Sequence, residues 1–312
     1  MNKAIEWIIE NEFAGNRLDC AINQKFGNQF SRTQAQELLK SGEITVDGKK
    51  VKPGLKVKGG EKVILPETIE EKETGISATE LNFPILYEDR QIIVINKPAG
   101  LVVHPGAGGE KETVVSALLG HTKLSPIGAP TRPGVVHRLD KGTSGIMLLA
   151  KTKEAHRKLA TAFAGHDIEK EYLAIIQGHI VNRKGRIEVA IERDKVHRKR
   201  MKATSPEKGR MAISHFEVLE YLDGATLVKV RILTGRTHQI RVHMAFTGHP
   251  LLGDSTYGGR KTKLGSGHYL HAWRLSLAHP GTGKKMEWRA ELPPAFKNAI
   301  TELGSKLTEL PL

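Results

Sequence analysis

Residues 134–145 read Gly-Val-Val-His-Arg-Leu-Asp-Lys-Gly-Thr-Ser-Gly. The apolar pair Val135–Val136 predicts a short strand that delivers His137, Arg138 and Asp140 to the edge of a turn built from Lys141, Gly142 and Gly145. The chain then re-enters an apolar run, Ile146 to Ala150. A side chain at the end of a strand is held on rigid backbone, where chemistry is best placed. Asp140 is the only carboxylate of the segment, and its neighbours are positive, which favours the ionised form of a carboxylate. Taken alone, an Asp after a strand is more often a turn former or an ion-pair partner than a catalyst.

Around this stretch the pattern is that of a mixed domain. Strand-like runs fall at Gln91–Asn96, Tyr172–Ile176, Ile187–Ile191, Ala212–Glu220, Thr226–Leu233 and Leu270–Leu277. Helical spacing is clearest at Thr152–Ala164 and is present at Thr113–Leu119. Few helices alternate with the strands, which excludes a regular doubly wound parallel sheet. The expected class is α+β, a mixed and mostly antiparallel sheet with helices packed on it.

A compact N-terminal unit precedes this domain. Ala14–Phe26 has helical spacing, and Ser31 is a natural N-cap for a helix over Arg32–Lys40 that Gly42 ends. Ile44–Val46, the turn Asp47–Gly48 and Val51 read as a hairpin, and Val63–Leu65 closes the unit. The acidic, polar stretch that follows reads as a linker. The expected organisation is 1–66, a linker at 67–80, and a second domain over 81–312.

The 312 residues carry a formal net charge of +14, with a pI near 9.7. Such a protein commonly meets a polyanion, and without a basic amphipathic segment nucleic acid is the better expectation than a membrane. Cys20 is the only cysteine, so no disulfide framework or cysteine-based zinc site is expected. No apolar stretch has the length of a membrane span and no charged-then-apolar leader is evident, which points to the cytoplasm.

Two further blocks carry chemistry-bearing residues. Thr234-Gly-Arg-Thr-His-Gln-Ile-Arg-Val-His243 follows a good strand and holds Arg236, His238, Arg241 and His243; its spacing is compatible with a strand or a helix start. Lys195-Val-His-Arg-Lys-Arg-Met-Lys202 is a dense cationic loop containing Arg198 and Arg200. It reads as either a solvated surface or a clamp on a nucleic-acid backbone. Gly106–Gly109 lacks the spacing of a dinucleotide fingerprint, and Gly281-Thr-Gly-Lys284 lacks the rest of a phosphate loop. His268 and His271 are spaced to line one helix face, but no third ligand is evident, so no metal is expected.

His137-Arg-Leu-Asp-Lys-Gly-Thr-Ser-Gly145 resembles the signature of the pseudouridine synthases, in their ribosomal large-subunit RluA/RluD branch. Asn96-Lys-Pro-Ala-Gly-Leu-Val-Val-His-Pro105, the block ending at His243, His249-Pro-Leu-Leu-Gly-Asp254 and Tyr257-Gly-Gly resemble that branch's other motifs, in its order. Arg17-Leu-Asp, Ser31-Arg32 and Gly42-Glu-Ile-Thr-Val-Asp-Gly48 resemble the S4-like (αL) RNA-binding domain.

The resemblance implies a uridine-to-pseudouridine isomerase acting on RNA, most readily large-subunit (23S) ribosomal RNA, on the fold of that family. It implies that Asp140 is the catalytic group, that Arg241 pairs with it, and that Tyr172, in Lys170-Glu-Tyr, stacks on a flipped base. His137, Arg138, Lys170, Arg236, His238, Arg198 and Arg200 are then expected to bind RNA or shape the motif, and Arg32 and Lys40 to bind RNA from the N-terminal unit. The reaction is redox-neutral and implies no cofactor, and no obligate protein partner is implied. A transfer-RNA synthase and a non-catalytic RNA-binding protein on the same fold are the alternatives.

Overall fold

The structure is a computed structural model that describes residues 4–27, 29–30, 32–67, 76–80, 82–106, 110–260 and 267–307. The Ser31 cap, residues 68–75 of the expected linker and residues 107–109 of the glycine stretch lie outside the described residues. Two compact units are present, residues 1–75 with 126–133, and residues 76–125 with 134–312. Segment 126–133, which the sequence reading assigns to the second domain, therefore groups with the first. Among the described residues no helix is long and apolar enough to cross a membrane.

In the first unit, strand β1 (Ala4–Ile8) is followed by helices α1 (Leu18–Phe26) and α2 (Arg32–Ser41), then by β2 (Thr45–Val46) and β3 (Lys62–Pro66). The first helix starts four residues later than its spacing predicts, because Gly15 takes a left-handed φ of +80° that breaks the helical path. Asp47 and Gly48 both have positive φ and close the expected two-residue hairpin turn. Leu18, Ile22, Phe30, Leu39, Val63 and Leu65 form the fully buried centre. Asp19 is also fully buried, held by Arg17, Arg32 (3.1 Å) and the Gln36 amide. These bonds outweigh the burial that opposes its charge and hold its pKa well below the usual carboxylate range.

The second unit contains β4 (Ile85–Glu88), β5 (Ile92–Lys97), α3 (Val114–His121), β6 (Ser144–Ala150), α4 (Lys153–Gly165), β7 (Glu169–Gln177) and β8 (Lys184–Arg193). Then follow β9 (Met201–Thr204), β10 (Arg210–Leu222), β11 (Ala225–Ile232), α5 (Gln239–Phe246), β12 (Leu270–Ala278), β13 (Lys285–Arg289) and α6 (Pro294–Glu302). The sheet runs β4-β5-β6-β12-β7-β11-β10-β8-β9, with β13 also on β12. Among the described residues its one parallel pairing joins β6 to β12, over Ser144–Gly145 and His271–Ala272.

The sheet is mixed and mostly antiparallel, as expected for an α+β protein. Ile93, Ile95, Met147 and Leu149 face a core shared with α3 and α5, while Ile92, Val94, Ile146 and Leu148 face α4. Both faces of β5 and β6 are thus covered, which is why these strands read as continuous apolar runs. Each such buried aliphatic side chain contributes roughly 1.5–3 kcal/mol.

The strand expected at Val135–Val136 does not form. Val135 makes only an isolated bridge to Leu149. Beyond it the edge of β6 is satisfied differently: Gly134 O accepts from Ala150 N–H (2.8 Å), and the His137 ring takes the Leu148 N–H (2.9 Å). A side chain has replaced a ladder carbonyl, so Asp140 sits in a turn leading into β6 rather than at a strand end.

Candidate active site

The turn carrying Asp140 is closed by Thr143 N–H donating to Asp140 O (3.1 Å). It is tied down from below by Lys97, which is fully buried. The Lys97 ammonium donates to the carbonyls of Pro98 and Leu101 (both 2.8 Å) and of Lys141 (3.4 Å). Burial draws the Lys97 pKa down to about 7, with the Asp140 charge opposing; the three carbonyls favour the ammonium.

The block from Thr234 resolves as a turn entering α5, not a strand. Gln239 Oε1 accepts from Thr234 Oγ1 (2.8 Å) and Arg236 N–H (3.0 Å), and its amide donates to Ile213 O and Ser214 Oγ (both 3.0 Å). This buried amide fixes the first turn of α5 on β10. His238, just before it, has a left-handed φ of +56°, uncommon for a residue with a Cβ.

Arg241, on the first turn of α5, is buried. Its Nε and Nη2 grip both oxygens of Asp254 (2.7 and 2.9 Å), and its Nη1 donates to Asp140 Oδ2 (3.1 Å). Burial opposes the Arg241 charge, but the bonds to Asp254 outweigh it and raise the pKa. The same pairing, against burial, lowers that of Asp254. The Tyr257 ring lies against the guanidinium, 5.0 Å from centroid to carbon.

Asp140 lines two neighbouring hollows. A cleft of about 590 Å³ is lined by Gly100, Arg138, Asp140, His238, Arg241 and His268. A recess of about 60 Å³ beside it is lined by Asp140, Tyr172, Ile232, Arg236, Ile240 and Leu270. The cleft falls within the size range of ligand sites, and Tyr172, Ile232, Ile240 and Leu270 give the recess apolar walls. Asp140 Oδ1 has no hydrogen-bond partner among the described residues, which leaves it open to a bound molecule. Among the described residues no group of three or more His, Cys, Asp and Glu side chains could hold a metal ion.

The structure brings Arg138, Asp140, Tyr172, Arg236, His238 and Arg241 together around these two hollows. Others stand apart. His137 is committed to Leu148 and stacks on Phe163 at 4.6 Å. Burial, then the Lys170 charge, draws its pKa down to about 3. Lys170 is itself buried, with its ammonium 5.7 Å from the Phe163 ring centre. Burial and Arg236 draw its pKa down to about 8. Arg198 and Arg200 lie on the turn between β8 and β9, and Arg32 and Lys40 lie on α2 of the first unit.

His268 and His271 do not share a helix face. His271 lies in β12, bonded to Ser144 Oγ (2.9 Å), and His268 precedes that strand, bonded to Thr143 Oγ1 (2.9 Å). Burial, then the Arg241 charge, draws the His268 pKa down to about 4. Three contributors, Asp254, Tyr257 and His268, received no role from the sequence. The sequence marks the first two only as members of the Leu-Gly-Asp254 and Tyr257-Gly-Gly motifs, without saying what they touch.

A family profile described as RNA pseudouridylate synthase matches residues 91–246, and one described as S4 domain matches residues 17–63. The chain is 42% identical over 278 residues to an uncharacterized RNA pseudouridine synthase of Bacillus subtilis, covering 88% of this chain and 90% of the relative. It is 41% identical over 300 residues to the ribosomal large subunit pseudouridine synthase D of Vibrio cholerae, covering 91% and 90%. Among solved structures it resembles human RNA pseudouridylate synthase domain containing 1, with a TM-score of 0.56 and 28% identity over 69% of this chain and 86% of that one.

Proposed function

Because the chain belongs to the RNA pseudouridylate synthase family, we propose that it isomerises uridine to pseudouridine in large-subunit ribosomal RNA with Asp140 as the catalytic group. The observation that carries this reading is the position of Asp140. Its carboxylate is held by a buried guanidinium at one oxygen, has no partner at the other among the described residues, and lines both a cationic cleft and a recess walled in part by Tyr172, Ile232, Ile240 and Leu270.

The target uridine leaves its stack, at a cost of a few kcal/mol that loops and single strands reduce. The base then enters against Tyr172, whose face supports it by stacking. Asp140 either attacks the ribose carbon that bears the base or removes a sugar proton. In both routes the electron pair of the broken carbon–nitrogen bond departs with the uracil. The ring turns and its carbon bonds to the ribose carbon, displacing the Asp140 carboxylate in the first route and with the sugar proton returned by Asp140 in the second; the proton on that ring carbon is then lost. Arg241 fixes the rotamer of Asp140 throughout, and nothing is oxidised or reduced.

Arg138, Arg236 and His238 line the approach and suit the phosphates of the flipped nucleotide. Arg198 and Arg200 extend the positive surface along the β8–β9 turn, where they supply affinity without sequence choice. An S4 domain within residues 1–66, with Arg32 and Lys40, adds a second RNA contact beyond the linker at 67–80. Such an activity belongs in the cytoplasm with the ribosomal RNA it acts on.

The test replaces Asp140 by Asn and measures pseudouridine in large-subunit RNA fragments. We expect activity to fall to background with RNA binding retained; a wild-type rate would overturn the assignment. Mapping pseudouridine across total RNA of cells lacking the protein separates a ribosomal from a transfer-RNA substrate.

A further inference from the structure

One side chain joins the Asp140 centre to the cationic β8–β9 turn, and it is Tyr257. It is buried. Two guanidiniums lie over its ring, Arg241 at 5.0 Å and Arg200 at 5.4 Å. Its hydroxyl oxygen accepts the backbone N–H of Met201 (2.8 Å), the residue that begins β9. The same hydroxyl stands 2.7 Å from Nδ1 of His238. The other nitrogen of that ring, Nε2, faces Asp140 Oδ2 across 3.8 Å. That distance is too long for a hydrogen bond but short enough for electrostatics to matter.

These distances leave one consistent placement of protons. The phenol has one proton to give, and among the described residues His238 Nδ1 is its only acceptor within reach. A phenol that donates to Nδ1 leaves the single proton of a neutral imidazole on Nε2. That N–H then points at the Asp140 carboxylate, the favourable sense. The opposite tautomer would turn an Nε2 lone pair toward a carboxylate oxygen and leave the phenol proton without a partner. Burial disfavours a charged His238, with Asp140 opposing, so the neutral ring is the form whose tautomer matters.

We propose that Tyr257 is a positioning residue that fixes His238 as its Nε2–H tautomer and so aims a hydrogen-bond donor at Asp140 from an anchor on the β9 backbone. The inference rests on the isomerase reading given above and deepens it. Tyr257 touches no reacting atom; it acts through His238. The left-handed backbone of His238 fits such a role, since a strained conformation persists only where its surroundings over-determine it. With Nε2–H facing Oδ2 across 3.8 Å and Arg241 bonded to it, both positive ends act on one carboxylate oxygen, and Oδ1 is left for the nucleotide.

The experiment uses the full-length chain with 15N-labelled histidine, the His238 signals being assigned by their loss in His238→Gln. In the wild type we expect a protonated Nε2 and a bare Nδ1. Tyr257→Phe keeps the ring against the two arginines and removes only the hydroxyl. It should yield a mixture of tautomers and lower kcat about tenfold with KM for RNA unchanged. In the His238→Gln background, Tyr257→Phe should have no further effect on kcat.

A wild-type spectrum with the proton on Nδ1 overturns the proposal, and does so even if the Phe variant fails to fold. So does an unaltered tautomer in Tyr257→Phe, or an equal loss of kcat in both backgrounds. A wild-type protein that makes no pseudouridine on any large-subunit fragment would instead overturn the isomerase reading. The tautomer result would still stand as a structural fact.

Discussion

Arg241 grips Asp254 by two hydrogen bonds, at 2.7 and 2.9 Å, with both side chains buried. The pair sets the angle of the guanidinium, and the remaining Nη1 is thereby presented to Asp140 at 3.1 Å. An ammonium could match the charge but not this planar fork. Asp254 is in this sense the foundation of the site, although it stands behind the arginine.

Removing the Asp254 charge should therefore damage both stability and rate. In Asp254→Asn the buried guanidinium loses its ionic partner, a change that costs about 3–5 kcal/mol when a buried pair is broken from one side. We expect that loss in urea unfolding and at least a tenfold fall in single-turnover rate. Undiminished turnover would show that Asp140 is fixed by other means.

Acid should weaken the fold through its buried histidines. The His137 pKa is about 3 in the folded chain against the ordinary 6.5, so the unfolded chain binds the extra proton between these values. The stability this group contributes is complete above pH 6.5 and is lost as pH falls toward 3. His243, His268 and His271, each near 4, act in the same direction. The melting temperature should decline from pH 6.5 downward. His137→Gln, which can still accept the Leu148 N–H without titrating, should shallow that decline; an identical pH profile in the variant would refute the assignment.

Gly145 stands where β6 meets β12, with φ of +109°. A Cβ there would collide with the Ala272 carbonyl oxygen and stand 2.6 Å from the Ala272 nitrogen. We expect Gly145→Ala to destabilise the second unit by about 3 kcal/mol or more, with activity lost alongside. Calorimetry on the full chain reads this directly, and a native melting curve would contradict it.

The β8–β9 turn should act on affinity rather than on chemistry. Arg198→Ala should weaken RNA binding and reduce the slope of log affinity against log salt by about 1, the counterion release of a single phosphate contact. The rate at saturating RNA should not change. A salt slope equal to that of the wild type would show that the residue meets solvent alone.

Much of this architecture is legible in local pattern. Runs such as Ile92–Ile95 announce doubly covered strands, Asp47–Gly48 announces a hairpin, and Thr113 and Thr152 cap the helices that follow them. What is hidden is non-local. Nothing near Val135 reveals that a histidine ring will supply the acceptor a ladder carbonyl would otherwise provide. Nothing in residues 249–259 reveals that Asp254 will meet an arginine on α5, because loop residues have no period and their partners are chosen by the closed sheet. The block at 234–243 is ambiguous in sequence for a similar reason: the Gln239 side chain, bonded to a different strand, decides that it begins a helix.

The brief junction between β6 and β12 has a further consequence for how the protein comes into being. The carboxylate precedes the strand on one side of that seam, while its arginine rides on a helix packed against strands from the other. A chain still folding thus carries the parts of a catalyst without being one. Competence toward RNA requires that seam to be closed, so an incompletely folded copy should leave its target unmarked rather than mark it wrongly.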